Sequence, residues 1–139
     1  MHTYVKPYVE KIESLAKSKK EQIELLIIGG LAMGFYGIPR HTIDIDAEIK
    51  CSDVFYFELI EYLKKENISF NIGEDISGWG IIPLPADYRE RAATVYKSDF
   101  LILKVLEPSD FVFSKLLRGT EEDFSDAVEV IKRHKITKG

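Results

Sequence analysis

Apolar residues recur along this chain in two rhythms, one near 3.6 residues and one of two. Tyr4, Val5, Tyr8, Val9, Ile12 and Leu15 keep helical spacing and predict an amphipathic helix from Tyr4 to Ser18. Ile23 to Ile28 is short and largely apolar, which predicts a buried strand. Leu31 to Tyr36 reads as a short helix stopped by Gly37 and Pro39. Thr42 to Ile49 alternates polar and apolar positions, the period of a strand with one buried face. Ser52-Asp53 caps a helix from Val54 to Glu66 whose inner face carries Phe55, Leu59, Ile60 and Leu63. Ile68 to Ile72 is a further short strand. Gly73 to Asp87 is rich in Gly and Pro and reads as a long loop, with at most a short strand at Ile81-Ile82. Ala92 to Tyr96 and Phe100 to Leu106 form a hairpin around Lys97-Ser98-Asp99. Pro108 and Ser109 open a helix that runs to Arg118 and breaks at Gly119, and Asp123 to Arg133 forms the last one. This mixture predicts an α+β (mixed α/β) fold, a small mixed β-sheet flanked by helices.

Composition narrows the functional classes. The chain has 139 residues, enough for one real core, and no linker or repeat divides it, so residues 1–139 are expected to form a single domain. The formal charge is −4, which argues against an extensive nucleic-acid surface but leaves room for a local basic patch. One cysteine, Cys51, excludes an internal disulfide framework and a thiolate zinc site; it reads as a small packing residue at a strand end. No apolar run approaches membrane-spanning length and Met1 to Lys11 has no leader-like apolar stretch, so a soluble cytoplasmic protein is the expectation.

The candidate chemistry lies in Arg40-His41-Thr42-Ile43-Asp44-Ile45-Asp46, shortly after Ile27-Ile28-Gly29-Gly30. On a strand, Asp44 and Asp46 project side by side while Ile43 and Ile45 face the core. Two adjacent carboxylates repel each other unless water, a basic group or a divalent cation relieves them. Oxygen donors of this kind suit Mg²⁺ (or Mn²⁺), which commonly also holds substrate phosphates. Gly29 and Gly30 would let a phosphate approach the backbone, with the N–H groups of a helix beginning at Leu31 aimed at it.

These two motifs together resemble the nucleotidyltransferase superfamily that includes DNA polymerase β. Its signature is a strand, Gly-Gly or Gly-Ser at a helix start, then Asp-x-Asp on the next strand. Here thirteen residues, Leu31 to Ile43, separate Gly29-Gly30 from Asp44-Ile45-Asp46. Gly29-Gly30-Leu31-Ala32 and the run Arg40 to Asp46 look most like small bacterial members and the toxin components of abortive-infection systems. Leu106 to Asp110, Lys115-Leu116-Leu117-Arg118 and Asp123-Phe124-Ser125-Asp126 look like the family's C-terminal helix pair. The resemblance spans about Ile23 to Ile131. It implies Asp44 and Asp46 as metal ligands, Lys115 as a triphosphate contact and Asp126 as an accessory acid. It also implies a nucleoside triphosphate partner. The reaction would transfer a nucleoside monophosphate to a hydroxyl of a small molecule, a tRNA end or a protein, with release of pyrophosphate. The alternative is a non-catalytic nucleotide-binding or toxin–antitoxin-type partner protein that keeps the fold.

Each residue also has an ordinary structural explanation. Arg40 either binds phosphate or relieves the acidic pair, and Thr42, on the face of Asp44 and Asp46, bonds a carboxylate or a substrate hydroxyl. His41 faces the other way and reads as packing. Lys115, Arg118, Asp123 and Asp126 read equally well as an interhelical ion-pair cluster. Trp79 reads as a plug for the core, or else as a stacking surface for a base. Tyr88, Arg89 and Arg91 lead into the hairpin, with one Arg facing the cleft. Active relatives carry a third acid on a later strand, yet Phe100 to Leu106 has none; Asp87 and Asp99 are the nearest substitutes in sequence.

Overall fold

In the computed structural model, residues 6–29, 31–38, 45–74 and 84–134 are described. Among the described residues, six helices and five strands follow in the order α1 (Lys6–Ser18), β1 (Ile23–Ile27), α2 (Ala32–Phe35), β2 (Ile45–Lys50), α3 (Asp53–Lys65), β3 (Phe70–Gly73), α4 (Tyr88–Arg91), β4 (Ala93–Lys97), β5 (Leu101–Val105), α5 (Pro108–Arg118) and α6 (Glu121–His134). The strands form one mixed sheet in the order β3-β2-β1-β5-β4. β1 runs antiparallel to β2 and parallel to β5; β2 and β3 are parallel, and β4 closes the far edge as an antiparallel hairpin with β5. The fold is therefore the expected α+β arrangement.

The period of two divides the sheet into unlike faces. On one face, Ile23, Leu25 and Ile27 of β1, Ile45, Ala47 and Ile49 of β2, and Leu101, Leu103 and Val105 of β5 are all buried. They belong to the same core cluster as Val9, Ile12 and Ala16 of α1 and Phe55, Leu59 and Leu63 of α3. Strong apolar stripes at helical spacing make those two helices cover this face. On the other face, β2 presents Asp46, Glu48 and Lys50, β1 presents Glu24, and β5 presents Lys104. The same alternation that builds the core thus delivers a row of charges to the opposite side.

The helix ends follow local chemistry. The Ser52 hydroxyl accepts from the Phe55 N–H at 3.1 Å and starts α3. Gly119 adopts φ 74° and ends α5, a left-handed conformation that a Cβ would penalise. Two elements differ from the sequence reading. α6 begins at Glu121 rather than Asp123, because Thr120 accepts the Asp123 N–H at 3.0 Å and caps the helix early. The one-turn helix α4 occupies Tyr88 to Arg91, residues that the sequence reads as the lead into the hairpin with no helix of their own. Trp79 and Ile81-Ile82 lie outside the described residues, as does the beginning of the first helix. Among the described residues, no helix is long and apolar enough to cross a membrane.

Candidate active site

Gly29 and Asp46 come together at the end of the antiparallel pair β1–β2. The Ile28 N–H donates to the Asp46 carbonyl at 2.9 Å, which extends the ladder one step past β1. A Cβ on Gly29 would stand 2.2 Å from Asp46 Oδ2 and 2.5 Å from its Cβ. Those separations are far below van der Waals contact, and both the strand backbone and a short side chain would have to move. Glycine at this position is required by the carboxylate packed against it. Asp46 is 8% exposed, and its Oδ1 accepts from Asn71 Nδ2 at 2.9 Å across the β2–β3 register.

The turn after β1 does less for phosphate than the sequence suggests. α2 is a single turn, and the Ala32 N–H donates to the Gly29 carbonyl at 2.9 Å. A helix this short aligns too few peptide dipoles to act as an anion site. Any phosphate contact here falls to the backbone of the glycine turn itself. The Tyr36 hydroxyl, at the end of α2, donates to the Leu106 carbonyl and ties this corner to the end of β5. Burial drives the Tyr36 pKa well above its ordinary value, helped by the nearby Glu107 and Asp110 charges, so the phenol stays a donor.

One pleat along β2, Glu48 shares the face of Asp46 and is 5% exposed. Its Oε1 accepts from Arg89 Nε at 2.8 Å; its Oε2 accepts from Arg89 Nη2 at 2.7 Å and from the Tyr88 hydroxyl at 2.6 Å. This two-pronged guanidinium pairing neutralises a carboxylate that burial would otherwise penalise. Arg91 makes the matching pair with Asp110 at the start of α5, at 2.8 and 3.0 Å. So α4 bolts the open sheet face to the C-terminal helices. Glu48 is the residue that the sequence reading passed over. Its signal was present: a strand running through Ile49 with Asp46 facing out must also turn Glu48 out.

The remaining site candidates fall into three places. Gly30, Arg40, Thr42 and Asp44, with His41 beside them, lie outside the described residues. Asp99 precedes Leu101, which pairs with Ile23 at the opposite end of β1 from Ile28 and Asp46. At about 3.3 Å per strand residue that is most of the sheet's length, out of reach of Asp46. Asp87 is exposed at the start of α4, in a left-handed conformation (φ 60°). In register opposite Asp46, β3 presents an amide, Asn71. Among the described residues, no group of three His, Cys, Asp or Glu side chains is arranged to hold an ion.

Lys115, Arg118, Asp123 and Asp126 are brought together by the packing of α5 on α6. Lys115 Nζ lies 3.4 Å from Asp123 Oδ1 and 3.2 Å from Asp126 Oδ2, and Arg118 Nε lies 3.7 Å from Asp123 Oδ2. Lys115, Asp123 and Asp126 are all buried. Burial raises the Asp123 carboxyl, but the Thr120 hydroxyl at 2.6 Å and the Arg118 and Lys115 charges outweigh it, and its pKa ends below the ordinary value. Cys51, just past β2, is half-buried; burial first, then Glu21, Glu74 and Asp53, pushes its thiol up to about 11. That suits the packing role and not a thiolate nucleophile.

With this geometry in view, the comparison with protein families is informative. Residues 6–136 match the family described as nucleotidyltransferase of unknown function (DUF6036). The chain belongs to that family. No curated protein and no solved structure matches it. Membership makes the protein nucleotidyltransferase-like and implies a nucleotide as substrate. Gly29 and Asp46 come from the two halves of the motif read in the sequence, the glycine turn and the carboxylate strand.

Proposed function

We propose that the protein transfers a nucleoside monophosphate from a nucleoside triphosphate to a hydroxyl acceptor, releasing pyrophosphate. The observation that carries this reading is the fit between Gly29 and the Asp46 carboxylate, which leaves no space for a side chain at position 29. A carboxylate fixed against a glycine turn on the charged face of the sheet supports this reading, because phosphoryl transfer needs positioning and charge stabilisation more than covalent chemistry. Asp46 and, from the strand period, Asp44 offer oxygen donors. Mg²⁺ suits so sparse a protein ligand set, because it keeps waters and substrate phosphates in its shell. When bound, it would supply charge neutralisation at the phosphates. The protein's part is to hold Asp46 in place through Gly29 and Asn71, and to hold Glu48 fixed through Arg89 and Tyr88. In the transfer, the acceptor oxygen bonds to the α-phosphorus while the bond from that phosphorus to the β-bridging oxygen breaks. Pyrophosphate leaves and the hydroxyl proton passes to solvent.

A second reading, nucleotide binding without turnover, rests on Asn71. It stands across from Asp46, where a third acid would extend the carboxylate set. Lys115 and Asp126, which the resemblance implies as a triphosphate contact and an accessory acid, form an ion pair at 3.2 Å that the first of those roles would have to open.

Calorimetric titration with ATP and GTP, with and without Mg²⁺, tests the site. Binding is expected to require the metal and to weaken by at least about tenfold, ~1.4 kcal/mol, in Asp44→Asn and Asp46→Asn. Equal affinity in all three proteins would remove the assignment. Label transfer from an α-labelled triphosphate that disappears in Asp46→Asn separates the enzyme from the binding protein.

A further inference from the structure

A cavity of about 170 Å³ opens between α4 and the charged face of the sheet. Its floor is Leu26 with Glu24 and Lys104 beside it, and Glu48, one pleat from Asp46, forms part of its wall. All three of its basic groups are already committed. Lys104 Nζ lies 2.5 Å from Glu24 Oε1, Lys50 Nζ lies 3.6 Å from Glu24 Oε2, and Arg89 holds Glu48. The hydrogen bond from Lys104, with the Lys104 and Lys50 charges, holds the Glu24 carboxyl below its ordinary pKa despite partial burial. Two further carboxylates, Glu74 after β3 and Glu90 on α4, stand on the lining with no ion pair to a described cation.

We propose that this cavity is the acceptor subsite, and that the acceptor is a small hydroxyl-bearing molecule that is uncharged or cationic. The inference rests on the transferase reading and adds the substrate class. Three observations converge on it. Glu48 ties the cavity to the strand that carries Asp46: its near wall lies about 7 Å along β2 from that carboxylate, two strand residues, and its far wall at Lys50 about 13 Å, four residues. The volume is below the range of about 300–1,000 Å³ usual for drug-sized ligands, so it holds an occupant of few atoms and excludes a folded nucleic acid. The lining carries four carboxylates to three bases, and this excess of negative charge disfavours a phosphodiester or a carboxylate and favours hydroxyls and amines. Its acceptor hydroxyl would attack the α-phosphorus, with pyrophosphate leaving and the proton going to solvent as above.

The test uses the full chain, α-labelled ATP and GTP with Mg²⁺, and a cell extract separated into small molecules, tRNA and proteins. Label is expected in the small-molecule fraction, on a phosphodiester product whose acceptor part, identified by mass after phosphodiesterase cleavage, is uncharged or cationic. Lys50→Trp, which fills the mouth from an exposed strand end, should cut that label by about tenfold or more with Mg-nucleotide affinity unchanged. Glu90→Lys, on the exposed side of α4, should cut labelling of a cationic acceptor and serves if Lys50→Trp fails to fold. Label on tRNA or protein overturns the proposal, as does label on a product whose acceptor part is itself anionic. So does small-molecule label that neither variant alters, or no label in any fraction while nucleotide still binds. Nucleotide binding indifferent to Asp46→Asn sinks the transferase reading instead, so the two failures are distinguishable.

Discussion

The two faces of the central sheet are built by the same strands and do opposite things. One face is Ile, Leu, Val and Ala against α1 and α3, with residues such as Leu59, Leu63 and Leu103 wholly removed from water. The other carries Asp46 and Glu48 nearly as deeply buried, but each held by named polar partners: Asn71 for the first, Arg89 and Tyr88 for the second. Burial on the apolar face is favourable in itself, about 25 cal/mol for each Å² removed from water. Burial on the charged face costs desolvation that only precise pairing offsets. A fold spends stability in that way where it needs a carboxylate in a fixed place, which is the physical case for chemistry on that side.

The contrast can be broken most forcefully from the apolar side. Phe55→Ala should cost about 3–5 kcal/mol by chemical denaturation, since it opens a cavity under α3, and should leave nucleotide affinity of the folded fraction intact. Gly29→Ala should cost less, about 1–3 kcal/mol of overpacking, yet abolish metal-dependent nucleotide binding by displacing Asp46. If Gly29→Ala binds nucleotide normally, the contact with Asp46 is packing and nothing more.

A smaller effect on nucleotide binding places the α5–α6 cluster on one side of the comparison or the other. The sequence reading allowed Lys115 to be a triphosphate contact whose loss spares stability. Its burial between Asp123 and Asp126 changes that expectation. Lys115→Ala should destabilise by about 3 kcal/mol, the lower end for breaking a buried pair, because Asp123 keeps Thr120 and Arg118. Nucleotide affinity should stay within about twofold, well under the 1.4 kcal/mol that a tenfold change represents. A tenfold loss of affinity without loss of stability would move Lys115 into the active site.

The smallest expected effect is the dependence on acid. The Asp123 pKa is lowered in the folded protein, so its contribution is complete above the unfolded carboxylate range, about pH 4, and is lost as pH falls through the lower folded value. Melting temperature followed from pH 6 downward should therefore fall less steeply in Asp123→Asn than in the parent protein, with the difference opening below about pH 4. Parallel curves would show that Asp123 titrates alike in both states.

Much of this was legible in the residues alone, because local rules are written locally. The period of two in Thr42 to Ile49, the cap at Ser52, the turn at Lys97 to Asp99 and the stop at Gly119 depend on neighbours a few positions away, and each element formed there within a few residues. The pairing of Gly29-Gly30 with Asp44-Ile45-Asp46 was likewise readable as spacing, and the family match agrees with it. Tertiary structure decided what depends on distance across the chain. Only sheet order puts Asp99 at the wrong end for Asp46 and Asn71 directly opposite it. Only the return of α4 over the sheet brings Arg89 to Glu48, 41 residues away in sequence, and encloses the cavity between them. A strand's period tells which side a carboxylate faces; it carries no information about which distant cation will be waiting there, and that partner fixes whether the charge is solvated, neutralised or placed for chemistry.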